Sequence, residues 1–163
     1  LRIKKRDCPT TKMEVHYVDY DVVHPDFVTL TNLLDNELSE KNGNFQVVYG
    51  QYNQLIDIND VIVAYTDERP IACASMKYFD AETYEIKRVY VSDHYRGAGI
   101  AAEMMWRIEN KAKEKNIRYL IVETGKHLTP AMNLYKKLSY TVIQNYGQYK
   151  NLSLSVCFRK ALF

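Results

Sequence analysis

No stretch of apolar residues in this sequence approaches the roughly 20 that a membrane-spanning helix requires. The basic start, Leu1-Arg2-Ile3-Lys4-Lys5-Arg6, leads into Asp7-Cys8-Pro9 instead of an apolar segment, so it does not read as a secretory leader. A chain that begins at Leu1 is expected to have lost its initiator Met. Glycine and proline are scarce, six and four among 163 residues, which excludes a collagen-like or long disordered segment. Cysteine is rarer still: Cys8, Cys73 and Cys157 form no Cys-x-x-Cys, and three thiols cannot all pair. Cys73 and Cys157 lie in apolar runs and read as small buried hydrophobes. Free thiols without a leader point to a reducing, cytoplasmic setting. His16, His24, His94 and His127 show no ligand spacing, so no metal is expected. A net charge of only +2 gives no electrostatic footprint for nucleic acid, and neither nucleic acid nor membrane is expected as a partner.

What is present is alternation between strand and helix periods. Phe27, Leu30, Leu34 and Leu38 recur at helical spacing between Pro25 and the breaker Asn42-Gly43-Asn44. Residues Phe45 to Asp57 are ambiguous. Val61–Tyr65, Ile71–Phe79 and Tyr84–Val91 read as strands on links too short for a parallel crossover, hence an antiparallel meander. A helix from about Gly99 to Glu114 follows, with Ala101, Met104, Met105, Ile108 and Ala112 on one face. Tyr119-Leu120-Ile121-Val122 is then continuously apolar, as in a strand covered on both sides. Strand, helix and strand make one right-handed βαβ unit. A short helix (Ala131, Leu134, Tyr135, Leu138) and strands at Thr141–Gln144 and Leu152–Phe158 close the chain. The pattern predicts one α+β domain over residues 1–163 with a mixed sheet.

The junction Arg96-Gly97-Ala98-Gly99-Ile100-Ala101-Ala102 carries the chemistry. Glycines let backbone approach a ligand closely, and a helix start offers unpaired N–H groups and a positive dipole end. The physics predicts a phosphate or pyrophosphate site. Gly97-x-Gly99-x-x-Ala102 also satisfies the dinucleotide fingerprint, with Glu123 ending a strand about twenty residues on. Antiparallel strands before the motif, a five-residue loop ahead of the glycines and only 40 residues after Glu123 argue against that fold.

Arg96-x-x-Gly99-x-Ala101 resembles the [Gln/Arg]-x-x-Gly-x-[Gly/Ala] signature of the GNAT family of N-acetyltransferases. Ala131-Met132-Asn133-Leu134-Tyr135-Lys136-Lys137-Leu138-Ser139-Tyr140 is similar to the same family's Ala-x-x-Leu-Tyr-x-x-x-Gly-[Phe/Tyr] segment. The likeness covers about residues 61–158. It implies the acyl-CoA N-acyltransferase fold: a mixed, mostly antiparallel sheet of six to seven strands with about four helices. It also implies acetyl-CoA as co-substrate, no metal, and transfer to a primary amine of a small molecule or peptide. The other class of reading is a coenzyme A-binding sensor without turnover. Homodimers are common in the family, although no exposed apolar stretch here compels one.

Carried over residue by residue, the resemblance places the pantetheine arm on main-chain groups of Val89, Tyr90 and Val91. The pyrophosphate goes to Arg96, Gly97, Ala98, Gly99, Ile100, Ala101 and Ala102. Tyr135 holds the position of the acid that protonates departing thiolate. Glu85 lies eleven residues before Arg96, where some members carry a glutamate base, and simple alternation puts it on the face of Lys87, Val89 and Val91. Leu128 stands where many relatives have Asn or Gln, and Ser139 where they have glycine. On the acceptor side the candidates are Asn145-Tyr146-Gly147-Gln148-Tyr149, as pocket or as self-packed rings, and the first helix with Asp35 and Glu37.

Overall fold

A computed structural model describes residues 13–43 and 50–163. The basic N-terminal hexapeptide, Cys8 and the start of the ambiguous 45–57 stretch lie outside the described residues. The elements are β1 (His16–Tyr20), α1 (Pro25–Asn42), β2 (Ile58–Thr66), β3 (Arg69–Asp80), β4 (Thr83–Val91), α2 (Ile100–Glu114), β5 (Tyr119–Gly125), α3 (Thr129–Lys137), β6 (Thr141–Ile143) and β7 (Ser155–Ala161). The strands form one seven-stranded sheet in the order β1-β2-β3-β4-β5-β7-β6. Among the described residues only β4 and β5 pair in parallel; the other neighbours are antiparallel. Meander and βαβ unit therefore stand as expected.

Alternation along the central strands splits the core between the two faces. Ile62 and Ala64 of β2 join Met104, Met105 and Ile108 of α2, while Val61, Val63 and Tyr65 join Phe27 and Leu30 of α1. So α2 covers one face and α1 the other. Three α-helices are delimited among the described residues, the three that the periodicity predicted. The chain also has a strand that periodicity did not reveal: β1, an edge strand with no fully buried side chain and no apolar rhythm. Strand β7 begins at Ser155, not Leu152, because the carbonyls of Tyr149, Leu152 and Ser155 all converge on the Asn145 amide at 3.2 Å.

One expectation about β4 is corrected. Arg88 sits at φ +59°, and the register with β3 slips between Cys73–Tyr90 and Ser75–Lys87. That is a β-bulge, and one extra residue reverses the alternation beyond it. Ile86, Val89 and Val91 consequently share the α2 face, and Tyr90 packs in the α1-side cluster. Glu85 and Lys87 lie on the other face from Val89 and Val91. The bulge is tied to α1, since Arg88 donates to Asp35 and to the Thr31 carbonyl, both at 2.8 Å.

The end of α3 shows what a second sequence departure does. Tyr140 N–H donates to the Tyr135 carbonyl at 2.9 Å and Ser139 N–H to the Lys136 carbonyl at 3.0 Å, the paired bonds of a Schellman cap. Its left-handed residue is Ser139 at φ +67°. The cap brings the rings of Tyr135 and Tyr140 within 5.9 Å, so the turn also fixes Tyr135. Glycine has no Cβ penalty there, so Ser139→Gly is expected to stabilise the fold by about 1 kcal/mol, read as a higher midpoint in urea unfolding.

Candidate active site

Parallel pairing between β4 and β5 covers only Thr83–Tyr119, Tyr84–Leu120 and Glu85–Ile121. Both strands run on, β4 to Val91 and β5 to Gly125, without pairing to each other. A cavity of about 580 Å³ opens along this split, walled also by α1, the starts of α2 and α3, and the signature loop. Val89, Tyr90 and Val91 line it, as do Arg96, Gly97, Gly99, Ile100, Ala101 and Ala102; Ala98 lies off the wall.

The loop's glycines are there for backbone conformation. Gly97 and Gly99 have φ +79° and +82°, and a Cβ on either would touch nothing within 4 Å. The first bond of α2 runs from Glu103 N–H to the Gly99 carbonyl at 3.1 Å. The amides of Ile100, Ala101 and Ala102 are therefore without intrahelical acceptors beside the cavity, with the positive end of the helix dipole behind them. Lys137 and Lys41 add positive charge to the wall. Arg96 points elsewhere: Nε donates to the Val91 carbonyl at 2.8 Å, and the other two nitrogens meet Glu37 and Asp93, each at 2.6 Å.

Tyr135 is 4% exposed, faces the cavity, and has no hydrogen-bond partner for its hydroxyl among the described residues. Burial, and then the charge of Glu123, raises its pKa, so it is a firmly protonated donor. Glu85 is 2% exposed, lines the same cavity, and accepts from the Tyr146 hydroxyl at 3.0 Å. Lys87 lies 3.8 Å from it and donates to the Tyr149 hydroxyl at 2.8 Å and the Tyr52 carbonyl at 3.1 Å. Desolvation lowers the Lys87 pKa, against the pull of Glu85 and Glu123. The tyrosine-rich segment packs its own rings, Tyr146 and Tyr149 meeting edge to face at 5.5 Å; none of residues 145–149 lines the cavity, but the two tyrosine hydroxyls hold two charged groups that do.

Sequence reasoning missed Glu123 as a site residue and noted it only as part of the rejected fingerprint. It lies on the cavity wall, accepts from Ser155 at 2.6 Å, and has its pKa raised mainly by burial. His127, also on the wall, meets the Asn42 side chain across the chain at 2.9 Å. Neither carried a local signal, because each matters through the splitting of two strands. Leu128 is the N-cap residue of α3, makes no side-chain cap, and turns an apolar side chain to the cavity.

A comparison with protein families settles the kinship. The sequence model of the acetyltransferase (GNAT) family matches residues 29–140, more than half of the chain. This chain belongs to the GNAT family. An uncharacterized N-acetyltransferase of Dictyostelium discoideum is 36% identical over 76 residues, 47% of this chain and 35% of that protein. An IAA acetyltransferase of Azospirillum brasilense is 26% identical, over 68% of this chain and 77% of that one. The GNAT chain thus spans about a third of the first relative's length. Among solved structures, a Klebsiella pneumoniae protein superposes with TM-score 0.77 at 22% identity, covering 91% of this chain and 98% of that one. A GNAT acetyltransferase of Elizabethkingia anophelis with acetyl-CoA bound gives 0.68 at 20%, covering 90% and 97%. The PaiA N-acetyltransferase of Thermoplasma acidophilum in complex with coenzyme A gives 0.65 at 18%, covering 91% and 99%. At these identities the structures establish the shared fold. No helix among the described residues is long and apolar enough to cross a membrane.

The raised pKa of Glu123 has a definite sign in stability. Folding favours its protonated form, so its contribution is complete below the unfolded carboxylate pKa and is lost as pH rises through the folded one. Glu123→Gln stays neutral throughout and its Oε1 can still accept from Ser155. Its melting temperature relative to wild type is expected to rise between pH 4 and pH 8; a constant difference would mean that Glu123 is ordinary.

Proposed function

We propose that this domain transfers the acetyl group of acetyl-CoA to a primary amine of a small molecule or peptide. The observation that carries the reading is that one cavity holds both the amides at the start of α2 and Tyr135, a buried ring whose hydroxyl has no hydrogen-bond partner among the described residues. An anion site and a proton donor share one wall system, as a transfer from a diphosphate-bearing thioester requires. In this reading the pantetheine arm lies along the unpaired edge of β4 at Val89, Tyr90 and Val91. The diphosphate takes the amides from Gly97 to Ala102, with Arg96 beside them. The bound ligands named for the two structural neighbours above, acetyl-CoA and coenzyme A, support that placement by likeness of fold. The buried free thiols of Cys73 and Cys157 support a reducing, cytoplasmic setting.

The chemistry follows from charge. An alkylamine with a pKa near 10.4 is neutral at only about one part in a thousand at pH 7, so a base must take its proton. The amine nitrogen then attacks the thioester carbonyl carbon. The nitrogen of the tetrahedral intermediate gives up its surplus proton to solvent, and on collapse the C–S bond breaks and the sulfur leaves as thiolate. Tyr135 gives this thiolate its proton, and the tyrosinate is reprotonated from solvent. Glu85, fixed by Tyr146, is the base in this reading. Glu123 on the same wall is the second carboxylate able to serve, its raised pKa being closer to the working pH. The two carboxylates outnumber Lys87 there, which favours an acceptor that arrives as a cation.

Thermal unfolding tests the binding half. Acetyl-CoA at 100 times its dissociation constant is expected to stabilise the fold by about 2.7 kcal/mol, and no shift would mean that the loop at Arg96 has been misread. Thiol release across polyamines, aminoglycosides, amino acids and lysine peptides tests transfer; binding without release from any amine would favour the sensor. Tyr135→Phe should keep binding and lose about 10²-fold or more in kcat, whereas unchanged turnover removes Tyr135 from the mechanism. Glu85→Gln should lose most at low pH and least near the amine's own pKa. A ratio to wild type that is flat with pH would exclude Glu85 as base and turn attention to Glu123.

A further inference from the structure

The C-terminal half of α1 walls the cavity with no buried side chain of its own. The helix buries Phe27, Leu30 and Thr31 in its first two turns, whereas Leu34, Glu37, Leu38 and Lys41 face the cavity only half-covered or exposed. Polar contacts tie this half to the body. Asp35 takes Arg88 of the bulge, Asn42 meets His127 after β5, and Glu37 takes Arg96 of the signature loop. The third tie differs from the others, because its arginine stands where the diphosphate is placed above.

The charges at that point do not suit an arriving diphosphate. Arg96 is shared between the carboxylates of Glu37 and Asp93, and with Lys41 hydrogen-bonded to Glu37 the four groups sum to zero, so Arg96 has no charge to spare while both carboxylates hold it; the Glu37 hydrogen bond also raises its affinity for its proton. A diphosphate brings about two more negative charges to the adjoining amides. Repulsion falls if one carboxylate withdraws. Asp93 is fixed on the loop itself, three residues from Arg96, but Glu37 belongs to a different element. Glu37 also has a second cation in place, since Lys41 one turn along α1 is hydrogen-bonded to it. Leaving Arg96 would not strand it.

We propose that Glu37 is a displaceable counter-ion: the diphosphate of coenzyme A takes Arg96 from Glu37, and loading the cofactor site thereby frees the α1 wall of the acceptor cavity. The inference rests on the acetyl-CoA reading given above. It makes Glu37 a positioning residue, acting on the acceptor side through Arg96 and α1. In the unloaded protein the wall is latched, and an acceptor finds its room once the cofactor has bound. The Val91 carbonyl, which Arg96 also covers, becomes available to the pantetheine arm in the same movement.

Two measurements on the whole chain test this, both with coenzyme A as the probe. In hydrogen exchange, amides 34–42 of wild type are expected to exchange two- to five-fold faster with coenzyme A bound, the range that follows from losing one exposed ion pair. Glu37→Gln should show the faster exchange already without ligand. By calorimetry it should bind coenzyme A two- to five-fold more tightly than wild type, with the advantage shrinking in 0.5 M salt. Coenzyme A that binds while slowing or not changing exchange in 34–42, with Glu37→Gln binding no tighter, overturns the latch and leaves the acetyl-CoA reading standing. No heat and no melting shift with coenzyme A would overturn that reading and the latch together.

Discussion

Between β4 and β5 the ladder runs from Thr83–Tyr119 to Glu85–Ile121, and each strand then continues with one edge free of the other. Unpaired backbone inside a sheet is expensive unless a ligand or solvent satisfies it. Here the free edges become a cavity wall, and everything proposed for the site hangs on that split. It places Glu85 at the last paired position, Lys87 just past it, and Val89 to Val91 along the open edge. It also sets Glu123 on the facing strand, and lets the loop that follows β4 carry its helix start to the rim of the same cavity. The crossover through α2 closes the unit on the face that carries Ile86, Val89 and Val91.

The Arg88 bulge decides what each open-edge residue can do. Without the extra residue, Glu85 would share a face with Val89 and Val91 and lie against α2. With it, Val89 and Val91 stay in the larger core while Glu85 and Lys87 turn to the other side, where the Tyr146 and Tyr149 hydroxyls meet them. A carboxylate 2% exposed and a lysine side chain 10% exposed would be costly alone. Together, with two tyrosine hydroxyls and a carbonyl, they form a polar network whose remaining opening is the cavity. Glu123 is less well served, with Ser155 as its one hydrogen-bond donor among the described residues, and burial moves its proton affinity accordingly.

Most of the fold was legible because the periods were strong. The meander announced itself by links too short to cross over, and α2 by a five-residue apolar stripe. The signature loop was legible for a different reason: glycines at positive φ leave few other residues possible, so the chemistry is written in the sequence itself. Strand β1 was missed because an edge strand with half-exposed side chains has no period to detect. The late start of β7 was missed because the competitor for its backbone is the side chain of Asn145, ten residues before Ser155. The tyrosine segment was read as ambiguous between pocket and packing; its rings pack, and its hydroxyls reach the pocket's charges.

By itself the sequence determined the fold class, through short-range periods, and it marked the Arg96–Ala102 junction as a loop whose backbone suits a phosphate; Tyr135 entered as candidate acid through the likeness to the family. Tertiary structure alone decided the face on which Glu85 lies, because a bulge is a property of two paired strands and not of one. It alone brought Glu123 into the cavity, since that placement depends on where β4 and β5 cease to pair. And it turned Arg96 toward Glu37, a residue 59 positions earlier in the chain, where no spacing rule could have joined them.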